Sequence, residues 1–280
     1  MSITTVHIDS LEGISELLFE AVNADENGRY RTAYYYRGMP NVDYSLVTSL
    51  ARNYQHSDSK KLNAQRQKTA KALEMHILEN FTKYASIEDP SISESIWKAM
   101  IVGQHHGLPT RLLDWTHSPL VALHFSEACD DFNDFEKNDA VVWRIDVRAL
   151  NKKLPEKYQK KLNGNKTHMF SVKTLSEVVK TIQEYDKDMG NSAFVTVEPP
   201  SIDERIVNQY AFFTLVPNGI KDLAAFLDGL NDVETKKYII DKSIRWQLRE
   251  YLDQFNMSER TIYPGLDGIA KWLARHYYVK

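Results

Sequence analysis

The chain has 280 residues, of which 42% are hydrophobic and 26% charged. That is enough apolar material for a core, and it excludes disorder, collagen-like repeats and a disulfide scaffold. Thirty-five basic against 38 acidic residues give a net charge of −3, which excludes a globally basic nucleic-acid binder. No run approaches the roughly 18 apolar residues of a membrane span. The first residues lack a basic segment leading into an apolar one, so a soluble cytoplasmic protein without a secretory signal or membrane contact is expected. The lone Cys129 cannot form an intramolecular disulfide and reads as a helix-end residue. The nine His show no zinc-type spacing, so no metal is expected.

In chain order, Ser10 can cap a helix carrying Leu11, Ile14, Leu17, Leu18 and Val22, which Asn27-Gly28 breaks; residues 1–30 thus read as an N-terminal helix. Thr32 to Arg37 is β-branched and aromatic, a strand stopped by Gly38. A polar stretch from Ser57 to Thr69 runs into a long helix with Leu73, Ile77, Leu78 and Phe81 on one face. A second helix spans roughly Ser91 to Val102. Arg111 to Trp115 suits a short strand, and Ser118-Pro119 a helix start. Ala140 to Asp146 reads as a buried strand. Asn151 to Lys166, rich in Lys and poor in apolar residues, reads as an exposed insertion near 151–166. Ala193 to Val197 and Tyr210 to Val216 read as strands; helices around Leu223–Leu230, Tyr238–Leu252 and Leu266–Tyr277 close the chain. The expected architecture is one α+β domain over 1–280. Its motif-bearing core, 31–216, has short mixed strands in a split sheet flanked by helices, and 217–280 supplies C-terminal helices.

Neither a phosphate-binding glycine loop nor a nucleophile elbow is present. Polar groups instead stand at the ends of apolar strands: Arg37, then Asp114 and Thr116 around Trp115, then Gln209. Each has a plain structural reading. Arg37 suits an exposed strand end stacked on aromatics. Gln104-His105-His106-Gly107 suits a helix end closed by a left-handed glycine. Asp114 and Thr116 can cap the next helix, and Arg111 can pair with Asp114. Gln209 can be an ordinary strand-start hydrogen-bonder, and the lysine run a solvated surface.

Taken together, Tyr36-Arg37-Gly38, Leu50-Ala51-Arg52 and the block from Gly103 to Thr116, with Pro119 to Phe125, resemble the FRG domain family. Glu204 to Gln209 with Phe213, and Ile262 to Gly268, look like its later blocks, so the likeness runs from about 30 to 275. The order of blocks further resembles the ADP-ribosyltransferase plan. That resemblance implies NAD as substrate and release of nicotinamide through an oxocarbenium-like state. It implies Arg37 as the NAD anchor, Thr116 and Gln209 as orienters of ribose, and Asp114 or His105 as assistants to the acceptor. Tyr36 or Trp115 would stack on nicotinamide, and Gly38, Gln104, Thr110 and Arg111 would help bind the cofactor. Many such enzymes carry Glu where this chain has Gln209, so Asp114, Glu198 or Glu204 would have to serve, or the chain binds without transfer. The acceptor expected is RNA, DNA or protein, with the lysine run favouring nucleic acid, and an antitoxin protein is the implied partner of a toxin acting in phage defence. A non-catalytic nucleotide-binding module and a hydrolase or nuclease built on Asp114, His105 and His106 are the alternatives.

Overall fold

A computed structural model describes residues 3–19, 28, 32–53, 60–128, 132 and 135–279. The proposed helix-end Cys129, and Val22 and Asn27 of the first expected helix, lie outside the described residues. Eight strands form one mixed sheet: β1 (Ile3–Ile8), β2 (Tyr34–Met39), β3 (Leu112–Thr116), β4 (Ala140–Asp146), β5 (Phe170–Ser171), β6 (Val195–Glu198), β7 (Ala211–Leu215) and β8 (Thr235–Ile240). Their order is β1-β8-β4-β2-β3-β7-β6-β5. The two outermost pairs are parallel and the inner ones antiparallel.

The middle of the sheet is its weakest seam. β2 runs beside β4 from Tyr34 to Met39, and β3 beside β7 along its whole length. Between β2 and β3, however, Tyr36↔Thr116 is the single register pair among the described residues. The sheet is therefore continuous, with two four-stranded halves that part just beyond that pair. A gap opens between Arg37 and the backbone of Asp114.

Alternation along the strands sends side chains to two cores. On one face Leu112, Phe213 and Val195 pack with Trp97, Met100, Tyr158 and Leu175, while Tyr36, Val142 and Tyr238 pack with Ala122, Leu123 and Leu248. On the other face Leu113, Trp115, Val141 and Trp143 meet Leu223 and Leu227. β4 is buried along nearly all of its length, the pattern of a strand covered on both faces.

Several expectations change. Residues 3–8 are a strand, not helix, and the N-terminal helix shrinks to Ile14–Leu18. Thr235–Ile240, expected to begin a helix at Tyr238, is a strand between β1 and β4, and the helix starts at Arg245. In both strands the burial of alternate residues comes from neighbours far away in sequence. The insertion near 151–166 is not a loose surface: Leu154, Tyr158 and Leu162 are buried, the last two on a helix (Glu156–Gly164) that closes the core. Four of its six lysines are paired with carboxylates, Lys153 with Asp232 at 2.5 Å, Lys157 with Asp188 at 2.7 Å, Lys160 with Glu156 at 2.7 Å and Lys161 with Glu177. The long helix spans Lys60–Ala85, but it turns Glu74 and Leu78 inward and leaves Leu73 exposed.

Gly38 does not stop β2; the strand continues to Met39. A Cβ at Gly38 would lie 1.8 Å from the carbonyl oxygen of Ala122 and 2.6 Å from the nitrogen of Ser126. Only glycine lets the Pro119–Ser126 helix cross the strand so closely. That helix starts as expected at Ser118-Pro119, with the Ser118 hydroxyl accepting from the Val121 amide at 3.3 Å.

Candidate functional site

Above the β2–β3 seam lies a cleft enclosing about 280 Å³, bordered among others by Tyr36, Arg37, Gln104, His105, Asp114 and Gln209. Three chain-distant segments thus meet at one hollow. The seam supplies the reason: where the ladder opens, a central strand exposes a polar side chain. Asp114 is the one exposed position of β3, flanked by buried Leu113 and Trp115.

Arg37 reaches across the gap. Its Nη1 donates to the Asp114 carbonyl at 2.6 Å, in place of a ladder hydrogen bond, and lies 3.5 Å from the Asp114 carboxylate. Its Nε is buried without a partner among the described residues. Burial pulls this guanidinium below its ordinary pKa; Asp114 opposes that pull and Arg52 adds to it. The charge is therefore incompletely compensated, and an anionic or acceptor-rich ligand would supply what is missing.

Asp114 is held from a second side. The Gln104 amide donates to both carboxylate oxygens at 3.2 and 3.3 Å, while the Gln104 carbonyl accepts from the Thr110 hydroxyl at 2.6 Å. The Thr110 amide in turn donates to Ser49. This chain fixes which way the Gln104 amide points and so presents the carboxylate to the cleft. Thr110 itself is buried away from the cleft wall and is a positioning residue, a correction to its expected contact with cofactor. The helix Ile96–His105 that carries Gln104 ends as the sequence suggested, with Gly107 at φ +84°.

His105 lines the same cleft, and its Nε2 lies against the Asp203 carboxylate. The sequence did not single out Asp203, which lies just before the Glu204–Asn208 helix and accepts from its Ile206 amide at 2.9 Å. His106 stands at right angles to His105, on the exposed side of the turn.

Other expected site residues have structural duties. The Thr116 hydroxyl donates to the Gln209 carbonyl at 2.8 Å and accepts from the Ser118 amide at 3.1 Å, so it is occupied. Gln209 borders the cleft, but it ends the Glu204–Asn208 helix instead of opening a strand, and its amide donates to the Ile262 carbonyl at 3.3 Å. Trp115 turns its ring to the opposite core and donates to Thr214 at 3.1 Å, so it is not placed to stack in the cleft. Arg111 pairs not with Asp114 but with Glu74 and Asp186 in a buried cluster, because its side chain points away from the cleft. Tyr36 borders the cleft with its ring in the core, and Glu198 is not on its wall. Among the described residues, no three His, Cys, Asp or Glu side chains gather to hold a metal ion, and no helix is long and apolar enough to cross a membrane.

The cleft wall is braced from behind. His124, on the Pro119–Ser126 helix, takes a hydrogen bond from Arg249 at 2.9 Å, and Arg245 binds Glu127 at 2.9 Å. Burial, reinforced by the Arg249 charge, lowers the His124 pKa to about 3, which keeps the ring neutral.

A mixed sheet opened at one seam, with a charged cleft over it, describes an α+β domain with a candidate binding site. Residues 32–136 match the FRG domain, so that segment of the chain is similar to this family. No curated protein and no solved structure matches the chain. The matched segment holds Arg37, Gly38, Gln104, His105 and Asp114, whereas Arg205 and Gln209 complete the cleft from beyond it.

Proposed function

We propose that the chain is an NAD⁺-using, ADP-ribosyltransferase-like enzyme that transfers ADP-ribose to a nucleic-acid or protein acceptor and acts as a bacterial toxin in phage defence or beside an antitoxin. The observation that carries this reading is the meeting of Arg37, Asp114 and Gln209, from three separate segments of the chain, around one cleft at an opened sheet seam. Arg37 anchors a phosphate or ribose oxygen of the dinucleotide. Asp114, oriented by Gln104, supplies a carboxylate that would stabilise positive charge on the ribose ring. The C1′–nitrogen bond breaks with its electron pair leaving on neutral nicotinamide; an oxygen or nitrogen of the acceptor bonds to C1′, and its proton passes to a base. His105, its ring held by Asp203, suits that base. Pairing of four insertion lysines with carboxylates weakens the case for nucleic acid over protein as the acceptor.

A second reading, a nucleotide-binding module without turnover, draws on the occupied Thr116 hydroxyl and Gln209 amide. Incubation with NAD⁺ labelled in the adenylate, in the presence of cellular RNA, DNA and protein, separates the two. Label transfer to one fraction with release of nicotinamide is the outcome expected. Saturable NAD⁺ binding with no nicotinamide released would leave only the binding module.

A further inference from the structure

The cleft, at about 280 Å³, has room for one nucleotide half but not for a whole dinucleotide. It continues into a second recess of about 890 Å³, and the two share His105 and Arg205. The far wall of this recess is the Tyr263-Pro264-Gly265 turn with Asp267 and Lys271 of the Leu266–His276 helix. The Arg205 guanidinium sits 5.2 Å from the centre of the Tyr263 ring, and the Lys271 ammonium 5.4 Å from it. Tyr263 thus places two cations at the mouth of one hollow.

Neither cation has an ion-pair partner among the described residues. This contrasts with Arg111, Arg245 and Arg275 and with Lys153, Lys157, Lys160 and Lys161, which are matched by carboxylates. The carboxylates on the recess wall are Asp203, Glu204 and Asp267. Asp203 is engaged by His105 and the Ile206 amide. Glu204 and Asp267 lie close to the cations in the chain but are not paired with them. A recess with two uncompensated cations and two available carboxylates matches a ligand that alternates phosphate with hydroxyl-bearing sugar better than it matches a bare polyphosphate.

We infer that this recess binds the adenosine diphosphate half of the dinucleotide, with the diphosphate between Arg205 and Lys271 and ribose hydroxyls toward Glu204 and Asp267. The assignment rests on the NAD⁺ reading of the adjoining cleft, and it gives the Ile262 to Gly268 block a task. It also explains how a small cleft serves a long substrate: the reactive half lies over the seam and the remainder runs past Arg205.

Calorimetric titration of the full chain with ADP, inorganic pyrophosphate and nicotinamide mononucleotide tests it. ADP is expected to bind more tightly than pyrophosphate. Lys271→Ala and Arg205→Ala are each expected to weaken ADP about tenfold, the effect of losing one charge-assisted contact. Lys271→Ala should leave nicotinamide mononucleotide unchanged, and Lys271→Arg should restore ADP binding. Both positions are exposed, and circular dichroism verifies that the variants are folded. Wild-type protein that does not bind ADP, or variants that bind it undiminished, overturn the assignment even if NAD⁺ is consumed. ADP binding that is lost in both variants, without NAD⁺ turnover by the wild type, upholds the recess and removes the transferase instead.

Discussion

Arg37 and Arg111 belong to the same matched segment, yet they have opposite fates. Arg111 is buried, gives Nε and Nη2 to Glu74, and gives Nη1 to Asp186 at 2.6 Å. Asp186 is closed further by the backbone and side chain of Asn218 at 2.9 and 2.7 Å. Burial works against the Arg111 charge, but the two carboxylates outweigh it and raise the pKa. At Arg37 burial prevails and the pKa falls, the Nε lacks a partner, and the companion Asp114 carboxylate is 56% exposed. Closed hydrogen bonding makes Arg111 part of the scaffold, and an unpartnered donor on a residue bordering the cleft marks Arg37 as a site candidate.

Three measurements can break or sharpen that contrast. Arg111→Met strands Glu74 and Asp186 in the interior and should cost about 3–5 kcal/mol of stability in urea unfolding, since a buried pair is broken on one side. A loss below about 1 kcal/mol would erase the contrast. Arg37→Met should cost less than about 1 kcal/mol in the same assay while nicotinamide release falls about 100-fold, equivalent to about 2.7 kcal/mol of transition-state stabilisation. A folded Arg37→Met variant with full turnover removes the anchor.

The third measurement concerns acid, and it extends the contrast to the buried brace behind the cleft. The unfolded chain protonates His124 near its ordinary 6.5, whereas the folded chain resists until about 3. Stability is therefore complete above pH 6.5 and declines as pH falls toward 3, by up to about 1.4 kcal/mol per pH unit. Glu259, which burial pushes up but Arg275 holds down to about 2, adds its own loss between 4.5 and about 2. Urea unfolding at successive pH values should show this decline, and His124→Asn, which keeps an acceptor for Arg249, should flatten its upper part. An unchanged slope would show that His124 is not the group responsible.

Strands β2 and β4 were legible because β-branched and aromatic runs carry their own signal, and Ser118-Pro119 and Gly107 announced a helix start and a helix end by local chemistry. Arg37, His105, Asp114 and Gln209 stood out as polar residues beside apolar segments, and all four border the cleft. Strands β1 and β8 were missed because each draws its stability from the other and from β4, across more than 200 residues in the case of Ile3 and Thr235. No local pattern distinguishes Thr116, whose hydroxyl is occupied, from a free ribose contact, or ties Arg111 to Glu74 in place of the nearer Asp114.

The amino-acid order by itself thus determined the family segment, most elements and the residue types around the cleft, because these depend on neighbours within a few positions. Tertiary structure decided which arginine is closed and which is open, where the sheet parts, and how Tyr263 and Lys271 come beside His105. Those outcomes depend on which distant groups satisfy each buried donor, and that is settled only when the strands pair and the helices dock.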